Sequence, residues 1–222
     1  MTSSHASTTH YTEAANTPAH SSPATDPMMS APSLPIADPG PLGLAGFAMT
    51  TFMLSVFNTN MISTSLGASV LGLALFYGGA VQLLAGMWEF RKGNTFGALA
   101  FSSFGAFWMS YWYLAHTIAP TLAGPDAHKA IGLFLLAWAI FTAYMTIASL
   151  RTTGAIAAVF VTLTVTFVLL CIGAFATGSA ATNWTKAGGW AGLVTALFAW
   201  YASFAGVTNS TFKRTVLPTF PL

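Results

Sequence analysis

Asp38-Pro39-Gly40-Pro41-Leu42-Gly43-Leu44-Ala45-Gly46-Phe47 closes a polar stretch and opens the first of six long apolar segments. The six run approximately over Pro41–Met61, Ala68–Phe90, Thr95–Thr117, Lys129–Ser149, Thr153–Phe175 and Ala187–Thr208. A helix needs about 20 mostly apolar residues to cross a hydrocarbon core of roughly 30 Å, and each segment has that length. The chain is 55% hydrophobic and only 5% charged, against roughly 25% charged residues in a soluble domain. Too few charges remain to cover a water-soluble surface. The pattern predicts an all-α membrane protein whose six transmembrane helices form one bundle.

Working outward from Asp38, residues 1–37 are rich in Ser, Thr, Pro and Ala and contain no Lys or Arg. They read as a disordered polar tail, because they offer too little apolar surface to offset the entropy of ordering. His5, His10 and His20 lie in this tail at spacings that fit solvated chain better than a metal site. Residues 38–214 form the predicted six-helix domain and 215–222 a C-terminal tail. The single cysteine, Cys171, sits within an apolar segment, which excludes a disulfide within the chain and leaves a small buried hydrophobe. No metal site or cofactor is expected.

Orientation follows from the seven basic residues. Six spans put the N-terminal tail, the second and fourth connections and the C-terminus on one side. That side collects Arg91, Lys92, Arg151, Lys213 and Arg214, against Lys129 and Lys186 on the other. This bias places both termini in the cytoplasm. A net charge of +2 is too small to suggest nucleic-acid binding.

Lipid removes the hydrophobic drive between helices, so packing must come from small residues. Gly93 to Gly97, Gly188 to Gly192 and Ala202 to Gly206 have that spacing. It serves contacts within one bundle or between subunits, and the former is the plainer reading. Trp88, Trp184 and Trp190 stand near span ends, where tryptophan anchors at the membrane interface. His116, at the end of the third span, reads as interfacial too.

The chemistry must come from the few polar residues inside the spans. Phe47, Thr50, Thr51, Leu54 and Asn58 recur at helical spacing on one face of the first span, and Gly78, Gln82, Ala85 and Glu89 on one face of the second. Amides in lipid are costly unless partnered, so these faces should meet each other or a wet cavity. Glu89 lies beside Arg91 and Lys92, where a structural ion pair or loop anchor is the first reading and proton coupling the second. No Arg, Lys, Asp or His falls near the middle of any span. A carboxylate anion would meet only the weak neutral donors Thr50, Thr51, Asn58, Gln82, Ser102 and Ser103, which suits transient contact and release. The chain lacks a His-Glu-x-x-His pair, a Gly-x-Ser-x-Gly elbow and paired mid-span aspartates, so no catalytic residues are expected.

The opening stretch resembles the motif Asn-Pro-Ala-Pro-Leu-Gly-Leu, followed shortly by Gly-Phe, of the acetate/succinate transporter family of bacteria, archaea and fungi. Phe76-Tyr77-Gly78-Gly79-Ala80-Val81-Gln82, with Ala85-Gly86 and Glu89, is similar to that family's second helix. Its third is resembled by Lys92-Gly93-Asn94-Thr95-Phe96-Gly97, with Ala100-Phe101-Ser102-Ser103-Phe104-Gly105 and Phe107-Trp108. Thr215-Val216-Leu217-Pro218 resembles a bacterial C-terminus of the family.

The resemblance implies six helices per subunit, a pathway through each, a homo-hexamer in the lipid bilayer of the inner or plasma membrane, and passage of acetate, succinate and related short carboxylates by channel or proton symport. It also implies motif or entrance roles for Asp38, Pro39, Pro41, Gly43, Asn94 and Thr95, and a constriction at Phe47, Phe104 and Leu163. On residue type alone those three read as bundle core. Phe104 stands where tyrosine is common in bacterial relatives, and Asp38 replaces the motif asparagine. An acid at 38 suits a helix N-terminus but would repel anions at a mouth. The alternative function is an acetate-sensing or other ligand-binding membrane protein without flux.

Overall fold

The computed structural model describes Met1 and residues 36–222. Residues 2–35 of the predicted disordered tail, including its three histidines, therefore lie outside the described residues. The helices are α1 (Gly40–Asn58), α2 (Thr64–Lys92), α3 (Thr95–Tyr113), α4 (Gly124–Ser149), α5 (Gly154–Phe175) and α6 (Gly178–Phe212). Among the described residues the one β contact is an isolated bridge between Thr153 and Pro221.

Local sequence explains where the helices begin. Pro41 sits in the first turn of α1, where its missing N–H costs nothing, and Asp38 Oδ1 accepts from the Gly40 N–H at 2.9 Å. Asn94 caps α3 by accepting from Gly97 N at 3.1 Å, and Thr153 caps α5 by accepting from Ile156 N at 3.3 Å. Helix α2 ends at Gly93, whose φ of +80° is a left-handed conformation that costs glycine little. Midway along α2, Phe76–Val81 forms a π-turn.

Five of the six helices are long and apolar enough to cross a membrane by composition alone. Helix α3 falls outside that group because its C-terminal half carries Trp108, Ser110, Tyr111, Trp112 and Tyr113. It continues through a π-turn over Leu114–Ile118 and a short turn over Ala119–Thr121. His116 is exposed there and stacks on Trp112 at 5.6 Å. The sixth helix starts nine residues before the expected Ala187, since only Ala176 and Thr177 separate it from α5. Its 35 residues rise about 52 Å, so it projects beyond a hydrocarbon core.

The main packing contacts run in the order α3, α2, α1, α6, α5, α4, with only sparse contact between α3 and α4. The first and last helices are therefore neighbours. Small residues allow this close approach. A Cβ on Gly188 would lie 2.6 Å from Leu170, and one on Gly206 would lie 2.9 Å from Pro41. Gly97 packs on Glu89 and Asn94. Gly188, Gly192, Gly206 and Gly97 thus make close contacts inside the chain, whereas Gly93 has nothing within 4 Å of its would-be Cβ and serves as the left-handed helix end. Cys171 is buried, and its thiol donates to the Gly132 carbonyl.

The last residues fold back over the start of α5. Tyr201 Oη donates to the Pro218 carbonyl at 2.6 Å, and Asn209 exchanges hydrogen bonds with Val216 and Leu217. Gly154 N and Ala155 N, which a helix start would leave without partners, donate to the carbonyls of Phe220 and Thr219.

Candidate functional site: two vestibules and an aromatic ring

Phe104 is the hub of the bundle interior. Its ring centroid lies 5.7 Å from that of Phe47, 5.4 Å from Phe141, 6.0 Å from Phe160 and 6.4 Å from Phe167. Phe47, Phe104 and Leu163 come from α1, α3 and α5, and each is 3% exposed. Cavities lie on either side of them. Phe47 and Leu163 line both, while Phe104 lines one and Phe107 the other. The three residues named from the sequence thus meet at the partition.

The termini-side cavity has a volume of about 300 Å³ and reaches Asp38, Lys92, Asn94, Thr152 and Thr219. Those positions gather the start of α1, the second connection, the fourth connection and the C-terminus, as the six-span topology requires. The far-side cavity, about 590 Å³, reaches Asn58, Asn60, Thr64, His128, Thr182 and Lys186.

The polar candidates divide. Thr51 and Asn58 line the far-side cavity, and Gln82 and Glu89 the termini-side one. Thr50, Ser102 and Ser103 line neither. At about 100° per residue, Thr51 stays within about 40° of Phe47 on α1 whereas Thr50 is turned about 60° the other way. Its hydroxyl donates to the Gly46 carbonyl at 2.8 Å and packs against Gly78 of α2. Ser102 instead packs against Gly86. Of the motif residues, Asp38, Pro41 and Asn94 line the termini-side cavity. Pro39, Gly43 and Thr95 shape the helix starts nearby, Gly43 facing the Phe101 ring.

The first reading of Glu89 as an ion-paired residue is corrected. Lys92 pairs with Asp38, Nζ to Oδ1 at 2.8 Å, whereas Glu89 makes no salt bridge among the described residues and is 1% exposed. The backbone explains the difference. Lys92 is the last residue of α2 and can swing toward the start of α1, while Glu89 is held inside by Gly97 and Asn94.

Five buried polar atoms have no hydrogen-bond partner among the described residues; Ser102 Oγ belongs to neither cavity, and the other four are placed to meet a ligand or water. Thr51 Oγ1 and Trp108 Nε1 belong to residues of the far-side cavity, and Gln82 Oε1 and Glu89 Oε2 to residues of the termini-side one. Trp108 was not singled out from the sequence as a ligand contact, because an indole in an apolar helix looks like core. Lys186 and His128 were also missed as cavity residues, since only the helix packing brings α4 and α6 to the same mouth.

The chain matches the model of the GPR1/FUN34/yaaH family over residues 22–222. It is 43% identical over 187 residues to the ammonia transport outward protein 2 of Saccharomyces cerevisiae, covering 81% of this chain and 64% of the relative. To the succinate-acetate/proton symporter SatP of Escherichia coli K12 it is 40% identical over 185 residues, covering 82% and 95%. Acetate permease A of Emericella nidulans is 40% identical over 194 residues, with 82% and 65% covered. The chain thus spans somewhat less than two thirds of the length of these two fungal relatives and nearly all of the bacterial one. The solved structure of the bacterial acetate channel SatP superposes with a TM-score of 0.75 at 37% identity, covering 83% of this chain and 99% of that one.

Proposed function

Because the chain belongs to the GPR1/FUN34/yaaH family, we propose that it is a multi-pass membrane transporter or channel carrying acetate and related short carboxylates, including succinate. The observation that carries this reading is the pair of cavities meeting at Phe47 and Leu163. In this reading Phe47, Phe104 and Leu163 form a hydrophobic bottleneck that gates by excluding water. Thr51, Asn58 and Trp108 hand the carboxylate along on the far side, and on the termini side the amide N–H of Gln82, not its oxygen, receives it. Neutral donors bind weakly enough to release, which conduction requires.

Glu89 is the proton-coupling carboxylate of the proposal. Its support is position: an unpaired acid facing the termini-side cavity, where ionisation without a partner is costly. Both termini face the cytoplasm, the membrane is the inner or plasma membrane, and the protein works as a homo-hexamer with one pathway per subunit. Labelled acetate uptake into proteoliposomes tests the reading. Flux supports it, and ligand binding without flux would turn the protein into a sensor. Imposing a pH gradient or a voltage in the same vesicles separates symport from channel conduction.

A further inference from the structure

We propose that Asp38 sets the charge selectivity of the termini-side mouth by masking Lys92, so that the pathway favours singly charged acids over dicarboxylates. This inference rests on the carboxylate-transport reading and adds a specificity-determining residue to it.

Three ionisable side chains line the termini-side cavity: Asp38, Glu89 and Lys92. Lys92 is the one cation among them, and its ammonium is held on Asp38 Oδ1 at 2.8 Å. Glu89, buried deeper, adds no positive charge and has no basic partner among the described residues. A carboxylate arriving at this mouth therefore meets a neutralised lysine with an acid behind it. A dianion gains twice as much as a monoanion from an uncompensated positive charge, so holding the lysine on Asp38 penalises a second carboxylate more than the first. The pair is partly exposed, with side-chain accessibilities of 36% for Lys92 and 49% for Asp38. It stands where an incoming solute passes while its field is still felt within a Debye length.

The geometry supplies a clean perturbation. Asp38 Oδ1 also accepts from Gly40 N at 2.9 Å at the start of α1, and asparagine keeps that acceptor while deleting the charge. D38N thus leaves the helix start intact and exposes the lysine's charge. Removing one negative charge beside the path should raise the succinate-to-acetate ratio by about threefold or more at low salt, given the Coulomb energy of one extra charge at a few ångströms in a wet site.

The experiment measures initial uptake of labelled succinate and acetate by proteoliposomes of wild type, D38N, K92Q and D38N/K92Q, at low and high ionic strength. Equilibrium binding of both acids to the same detergent-solubilised proteins is measured in parallel. The expected result is a raised succinate-to-acetate ratio in D38N that shrinks at high salt and disappears in D38N/K92Q. An unchanged or lowered ratio in D38N overturns the proposal, and so does an equal gain in the double variant. Absence of flux from every variant counts against the transport reading. The binding ratio then decides the role of Asp38 by the same criteria.

Discussion

The two vestibules share the Phe47 and Leu163 wall, yet they offer a solute different chemistry. The far-side one is the larger, reaches Lys186 and His128, and has no carboxylate among its lining residues. Its buried unpartnered groups include an indole N–H and a threonine hydroxyl. The termini-side one holds two acids and a lysine already engaged, and its buried unpartnered atoms are oxygens. In the proposed transport reading, an anion is drawn into one end by donors and positive charge and meets acceptors at the other. The difference teaches that a bundle interior without mid-span charge can still be chemically polarised from end to end.

Breaking the wall should have the largest effect. F104A removes the hub of five aromatic contacts and should join the vestibules, raising succinate and lactate uptake about tenfold relative to acetate as the dewetting barrier falls by about 1.4 kcal/mol. L163A should act in the same direction. Unchanged acetate, lactate and succinate fluxes in vesicles for both variants would mean that the bottleneck lies elsewhere.

The acceptor-lined side is tested next. E89Q preserves the size of the side chain while removing its ability to carry a proton, and should abolish the stimulation of uptake by an imposed pH gradient while leaving counterflow exchange. Retained gradient-driven accumulation would exclude Glu89 from coupling. On the opposite side, K186Q should lower the initial rate of acetate capture about threefold at low ionic strength and by much less at high salt, as steering by a half-buried charge at the cavity mouth predicts. A salt-independent deficit would assign Lys186 to packing instead. The smallest effect belongs to Y201F, which loses the hydrogen bond to the Pro218 carbonyl. About 1 kcal/mol of stability should go with it, seen as a small drop in melting temperature with substrate preference unchanged.

Much of this architecture is legible in the residues. Six helices follow from apolar segments of spanning length, and α1 begins where Asp38 and the prolines say it should. The face carrying Phe47, Thr51, Leu54 and Asn58 reaches the far-side vestibule as its periodicity implies. Where the reading slipped, the cause is angular or tertiary. Thr50 is one residue from Thr51, yet that step of about 100° turns it onto α2. Glu89 and Lys92 are three residues apart on one helix, yet the lysine's partner, Asp38, comes from 54 residues away.

By itself the sequence determined that the chain crosses a membrane, how many times, which ends share a side, and that no fixed charge occupies the middle, because these depend on composition and on the length and spacing of segments. Only the tertiary structure decided which polar atoms face a cavity, which acid takes the lysine that lines the termini-side cavity, and that the C-terminal residues return to satisfy the start of α5. Those outcomes depend on how helices distant in the chain pack side by side, and one-dimensional periodicity gives each helix a face without saying what it meets.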